Sequence, residues 1–177
     1  MKIMAREIKL SRVVAGSRKE TFKIKPIAEL LKRYVGDGKG WIDPFAGDNS
    51  PAEFTNDHNP AKKAKYHMEA ETFCKLLFPA TAGFNGALYD PPYSYRQVSE
   101  HYKVQGKKAT RFDTSNRFYN RVMNPLCEKI RQGGYAISFG WNSNGFGARR
   151  GFEIIEIMLV AHGQHKHDTI VTVEEKV

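Results

Sequence analysis

Apolar positions in this chain recur in two periods, and their alternation predicts an α/β fold. From Lys25 to Val35, the residues Ile27, Leu30, Leu31 and Tyr34 share one helical face, and Pro26 suits the first helical turn. Gly36-Asp37-Gly38 stops that helix, and Trp41-Ile42-Asp43 reads as a short strand ending on a carboxylate. Glu53 to Asn56 reads as a second strand, ending at Asp57. Between Pro60 and Phe78 helical spacing emerges late, with Ala70, Phe73, Leu76 and Leu77 on one face. Gly86 to Tyr89 gives another strand, ending at Asp90. A helix follows from about Thr114 to Arg131, with Phe118, Val122, Leu126 and Ile130 facing inward and Pro125 expected to kink or interrupt it.

Tyr135 to Gly140 is a clear strand. Phe152 to Ala161 and Thr169 to Glu174 follow, separated by so short a turn that they predict an antiparallel hairpin. The expected fold is therefore a single Rossmann-like domain whose mostly parallel sheet ends in a C-terminal antiparallel hairpin. It would span residues 22–177, behind a basic, weakly patterned arm at 1–21. Residues 104–111 read as a polar, basic loop.

A length of 177 residues gives one core and leaves no room for a second domain of ordinary size. The formal charge of +9, from 28 basic against 19 acidic residues, favours a polyanionic partner through counterion release. Cys74 and Cys127 are too distant for a zinc spacing and too few for a disulfide framework, so reduced buried thiols are expected. No membrane span or signal-peptide core stands out, and a cytoplasmic protein with no membrane partner is expected.

The chemistry concentrates at strand ends, where open α/β sheets bind ligands. Asp90-Pro91-Pro92-Tyr93 is the most specific signal. The lone pair of an aromatic exocyclic amine is delocalised into its ring. A carboxylate and a backbone carbonyl that accept its two hydrogens help localise that pair as a new bond forms. Two prolines fix the turn, and Tyr93 offers a face for a base. Asp43-Pro44-Phe45-Ala46-Gly47 suits a nucleoside-containing cofactor, because Gly47 lets backbone approach it closely. Asp57 is as well suited to an Asx turn as to holding ribose hydroxyls.

In this order the motifs resemble those of the adenine-specific DNA methyltransferases, in particular the small versions found in phages and prophages. The resemblance runs from about residue 22 to residue 173. It implies S-adenosyl-L-methionine (AdoMet) as cofactor, DNA as partner, and methyl transfer to N6 of adenine inside a bacterial host cell. It implies that Asp90, Pro91, Pro92 and Tyr93 are catalytic, and that Asp43, Pro44, Phe45, Ala46 and Gly47 bind cofactor. By the same resemblance Asp57 holds the ribose, Glu69 lies near the adenine ring, and Lys25-Pro26 packs beside the methionine end. Asp rather than Ser at position 90 favours adenine N6 over cytosine N4. No cysteine follows a proline, so the covalent nucleophile of the cytosine C5 enzymes is missing.

Two departures stand out. The helix that normally follows the glycine turn is shortened or lost, since Gly47-Asp48-Asn49-Ser50-Pro51 leads almost directly to the next strand. A target-recognition domain does not fit, which leaves a homodimer partner or the loop between Tyr95 and Arg117 to supply specificity, or leaves specificity slight. Lys107, Lys108 and Arg111 in that loop, and Arg149 and Arg150 beside the Trp141 to Gly147 segment, are the expected DNA contacts. His162, His165 and His167 share a turn, but the reaction needs no metal and none is expected. Two alternatives stay open: a non-catalytic DNA-binding module with this fold, and a methyltransferase for another planar amine in RNA, a nucleotide or a protein.

Overall fold

The computed structural model describes residues 6–77, 83–93, 99, 115–163 and 167–177. It contains strands β1 (Lys9–Val14), β2 (Trp41–Asp43), β3 (Phe54–Thr55), β4 (Phe84–Tyr89), β5 (Ile130–Gly140), β6 (Phe152–Ala161) and β7 (Thr169–Lys176). The helices are α1 (Lys25–Tyr34), α2 (Ala70–Leu76) and α3 (Asn116–Lys129). Among the described residues the strands form one seven-stranded sheet in the order β1-β6-β7-β5-β4-β2-β3. All pairings are parallel except those of β7, which runs antiparallel between β5 and β6. This is the Rossmann-like architecture with a C-terminal antiparallel hairpin that the patterning predicts.

Strand alternation sends side chains to two apolar faces, so the sheet is sandwiched. Leu88 and Ile137 point toward the face covered by Ile27, Leu30 and Leu31 of α1. Ala87 and Ala136 point to the other face, under Phe73 of α2 and Val122 and Leu126 of α3. Two helical details differ from expectation. Leu76 is largely exposed, and Cys74 takes its place in the core. Helix α3 runs on through Pro125 without interruption. Both cysteines are buried and free, as expected.

The arm holds the main surprise. Residues 9–14 form β1, paired in parallel with β6 from Lys9↔Glu156 to Val14↔Ala161. Nothing in its local pattern marks it, because as an edge strand it leaves Leu10 and Val14 exposed. It is anchored through buried Glu156, which accepts hydrogen bonds from Arg33 (2.8 and 3.2 Å) and from Tyr34 Oη (2.8 Å), with Lys9 Nζ 3.3 Å away. Burial pushes the Glu156 carboxyl up, but those donors and the Arg33 charge outweigh it and hold it below its ordinary value.

The link from β2 to β3 is the expected short one. Residues 44–53 contain no helix, although parallel neighbours usually need a crossover of about a dozen residues or more, commonly helical.

Candidate functional site

Parallel pairing of β2, β4 and β5 brings their carboxyl ends to one sheet edge, so Asp43, Asp90 and the segment after Gly140 become neighbours. A cleft of about 360 Å³ opens there, within the range of about 300–1,000 Å³ usual for ligand pockets. The expected residues Asp90, Pro91, Pro92, Tyr93, Pro44, Phe45, Ala46, Gly47, Asp57 and Glu69 all line it.

Asp43 is fully buried beneath the first turn. Its carboxylate accepts from Phe45 N–H (2.9 Å) and Ser50 Oγ (2.6 Å), which folds the 43–50 segment around it. Burial raises its pKa to about 7 against the effect of those two donors, and the charges of Asp90 and Asp57 push it the same way. Gly47 adopts a left-handed φ of 56° that disfavours any side chain, and its N–H donates to Asp57 Oδ2 (3.0 Å). Asp57 Oδ1 accepts from Asn59 N–H (2.8 Å), so the Asx turn and the cleft position coexist.

Asn56 holds this wall together, and nothing in the sequence singles it out. Fully buried, it donates from Nδ2 to the carbonyls of Pro44 (3.1 Å) and Met68 (3.0 Å) and accepts from Met68 N–H at Oδ1 (3.1 Å). Its backbone bonds Asp43 O (2.8 Å) and Ala46 N (2.9 Å). With no helix in residues 44–53, one amide side chain ties the glycine turn to the segment leading into α2. Glu69 begins that helix at the cleft rim, with His58 Nε2 at 2.9 Å from its Oε1.

Asp90 is half-buried at the end of β4. Burial lifts its pKa to about 6, opposed by a hydrogen bond from the Thr21 side chain. Tyr119 Oη of α3 donates to Pro92 O (3.1 Å). Tyr93 lies across the end of β5. A Cβ on Gly140 would sit 2.8 Å from Tyr93 Cζ, so the ring's position requires glycine there. The ring is flanked by Tyr119 (centroids 5.9 Å apart) and Trp141 (6.2 Å).

Lys25 and Pro26 do not line the cleft. That wall is made by Lys19 to Phe22, just upstream, with Phe22 packed on Phe139 (centroids 5.1 Å). The arm shows no local pattern because its side chains pack on distant strands rather than on each other. Arg150 is engaged structurally, donating to Asn124 Oδ1 (2.9 Å), Asn120 Oδ1 (2.6 Å) and Phe146 O (2.8 Å). Arg149 is exposed nearby, and neither arginine lines the cleft. Lys107, Lys108 and Arg111 lie outside the described residues. His162 is held by Ala15 O (2.9 Å) and Thr169 Oγ1 (2.8 Å), which leaves its ring nitrogens engaged within the fold; His165 lies outside the described residues. No described helix is long and apolar enough to cross a membrane.

No protein-family model and no curated protein matches this sequence. Solved structures do match in fold. One is TrmN from Thermus thermophilus, 14% identical over 87% of this chain, with a TM-score of 0.53. This chain spans only 49% of that protein. Another is the Burkholderia thailandensis 1,6-didemethyltoxoflavin-N1-methyltransferase, solved with 1,6-didemethyltoxoflavin and S-adenosylhomocysteine. It is 12% identical, covering 86% of this chain and 77% of that one, with a TM-score of 0.57. At these identities the likeness is one of fold, that of Rossmann-like methyltransferases.

Proposed function

We propose that this protein binds AdoMet in the cleft and transfers its methyl group to the exocyclic N6 amine of adenine in DNA. The observation that carries the reading is the convergence, in one cleft, of the Asp90-Pro91-Pro92-Tyr93 turn with the glycine turn braced by Asp43 and Asp57. The cleft suits the cofactor: the acidic side chains of Asp57 and Glu69 line it, and nearby negative charge favours a cationic sulfonium. Phe45 and Ala70 add apolar wall, and Asp57 and Glu69 offer acceptors for hydroxyl and amine groups. Bound there, AdoMet supplies an electrophilic methyl carbon.

The protein's own groups do the rest. Tyr93 stacks the base, fixing its plane against the end of β5. The Asp90 carboxylate and the Pro91 carbonyl accept the two amine hydrogens, which localises the nitrogen lone pair as the N–CH3 bond forms and the S–CH3 bond breaks. The proton displaced from the amine passes to Asp90, whose raised pKa suits it to take and then release that proton near neutrality. Thr21 bonds the Asp90 carboxyl, and Tyr119 ties down the next carbonyl of the turn, that of Pro92.

The test is incubation of the purified protein with AdoMet and unmethylated DNA, single-stranded and duplex, followed by nucleoside mass spectrometry. N6-methyladenine is expected, rising with pH through about 6 as Asp90 ionises. Asp90→Ala should lower turnover by about 10²–10³-fold while leaving AdoMet affinity nearly intact. Strong loss of AdoMet binding with residual turnover would contradict the role given to Asp90. No methylated base, with no AdoMet binding by calorimetry, would favour a DNA-binding module that retains the fold.

A second reading, methyl transfer to another planar amine, draws on one observation. A fold neighbour is a methyltransferase solved with bound 1,6-didemethyltoxoflavin, a small molecule in place of a nucleic acid. A panel of RNA, nucleotides and small heteroaromatic amines in the same assay separates the two.

A further inference from the structure

The segment after β5 carries an exposed aromatic ring that has no part in the methyl transfer. Trp141 follows Gly140 directly and is 47% exposed, whereas Trp41 is 3% exposed. Its ring continues from Tyr93 (centroids 6.2 Å, planes 35° apart) and packs on His167 (4.5 Å, 33°). Tyr93, which lines the cleft, also neighbours Tyr119 (centroids 5.9 Å), so ring contacts link Tyr119, Tyr93, Trp141 and His167.

Trp141 leads into a braced loop. Buried Glu174 of β7 accepts from the N–H groups of Phe146 (2.6 Å) and Gly147 (2.8 Å). Phe146, 1% exposed, packs on Tyr89 and Phe152. Asn142 Oδ1 caps the turn by accepting from Asn144 N–H (3.0 Å). The indole thus sits half in water next to Tyr93, which lines the cleft.

We infer that Trp141 is a stacking site for the nucleobase next to the one bound at Tyr93. The inference rests on the reading of the cleft as a nucleic-acid base site. The Tyr93 to Trp141 separation is about twice the roughly 3.4 Å rise of stacked bases, which fits two successive bases drawn apart as one enters the cleft. Stacking is tolerant of base identity, so Trp141 adds affinity and register with little sequence preference. The excess positive charge of the chain favours the strand's phosphates and leaves the ring to hold the base.

Trp141 emission tests this directly, because Trp41 is shielded. The intact protein is titrated with a short adenine-containing single strand, and with the same strand made abasic on both sides of the adenine. The intact strand should quench the emission and the abasic strand should not. Trp141→Ala should weaken binding of the intact strand about 5- to 150-fold, while Trp141→Phe keeps most of the affinity. Equal quenching by both strands, or unchanged affinity in a folded Trp141→Ala protein, overturns the inference. Methylation of adenine without base-dependent quenching removes Trp141 and spares the proposed activity. Base-dependent quenching without methyl transfer keeps Trp141 as a stacking residue and removes the activity.

Discussion

Replacing Asn56 with alanine should destabilise the protein and unlock the glycine turn of the cleft, because this one buried side chain ties that turn to the segment leading into α2. The change removes three hydrogen bonds: two donated to the Pro44 and Met68 carbonyls and one accepted from Met68 N–H. Each buried partner left unpaired costs about 1–3 kcal/mol. Water entering the space recovers part of that, so the loss should be about 3–5 kcal/mol in total. For a domain of this size each kcal/mol lowers the melting temperature by about 2–4 °C, giving a fall of about 6–20 °C. Thermal unfolding followed by circular dichroism measures the first effect, and calorimetric titration with AdoMet at low temperature measures the second. The bracing account requires both. A melting temperature within about 2 °C of the parent would show that the network carries no net stability. A large fall with unchanged AdoMet affinity would show that Asn56 supports the fold but not the turn.

Two further outcomes follow from the site's geometry. The folded pKa of Asp43, about 7, lies above its ordinary value near 3.8, so the protonated form favours folding. That contribution is fully present below about pH 4 and is lost as pH rises through about 7. Asp43→Asn should therefore gain stability relative to the parent across that window in urea unfolding, and parallel curves would refute it. Gly140→Ala places a methyl group 2.8 Å from Tyr93 Cζ and should displace the ring. It is expected to lower kcat/KM by about 10²-fold with AdoMet affinity kept, and full activity would show that the ring's position is not required.

The sequence by itself determined the elements whose partners are close in the chain and the turns that end them. Helical spacing placed α1 and α3, and apolar runs placed β2, β4, β5 and β6. Asp43-Pro44 and Asp90-Pro91 marked strand ends because proline and a carboxylate leave a local signature. Once those strands are parallel, their carboxyl ends must share an edge, so the carboxylates of the site are legible in the residue order alone.

The tertiary structure alone decided the rest. Strand β1 has no pattern of its own, because an edge strand buries little and is specified by its partner β6. Thr21 reaches Asp90, and Asn56 bridges Pro44 to Met68, through contacts whose worth arises only when separate segments meet. A polar side chain bonded to distant backbone looks, in sequence, like any solvated residue. Leu76 shows the converse: helical spacing assigns it to the core, yet in the folded protein it is left largely in water. Periodicity reports which residues share a face, and only packing decides where that face ends.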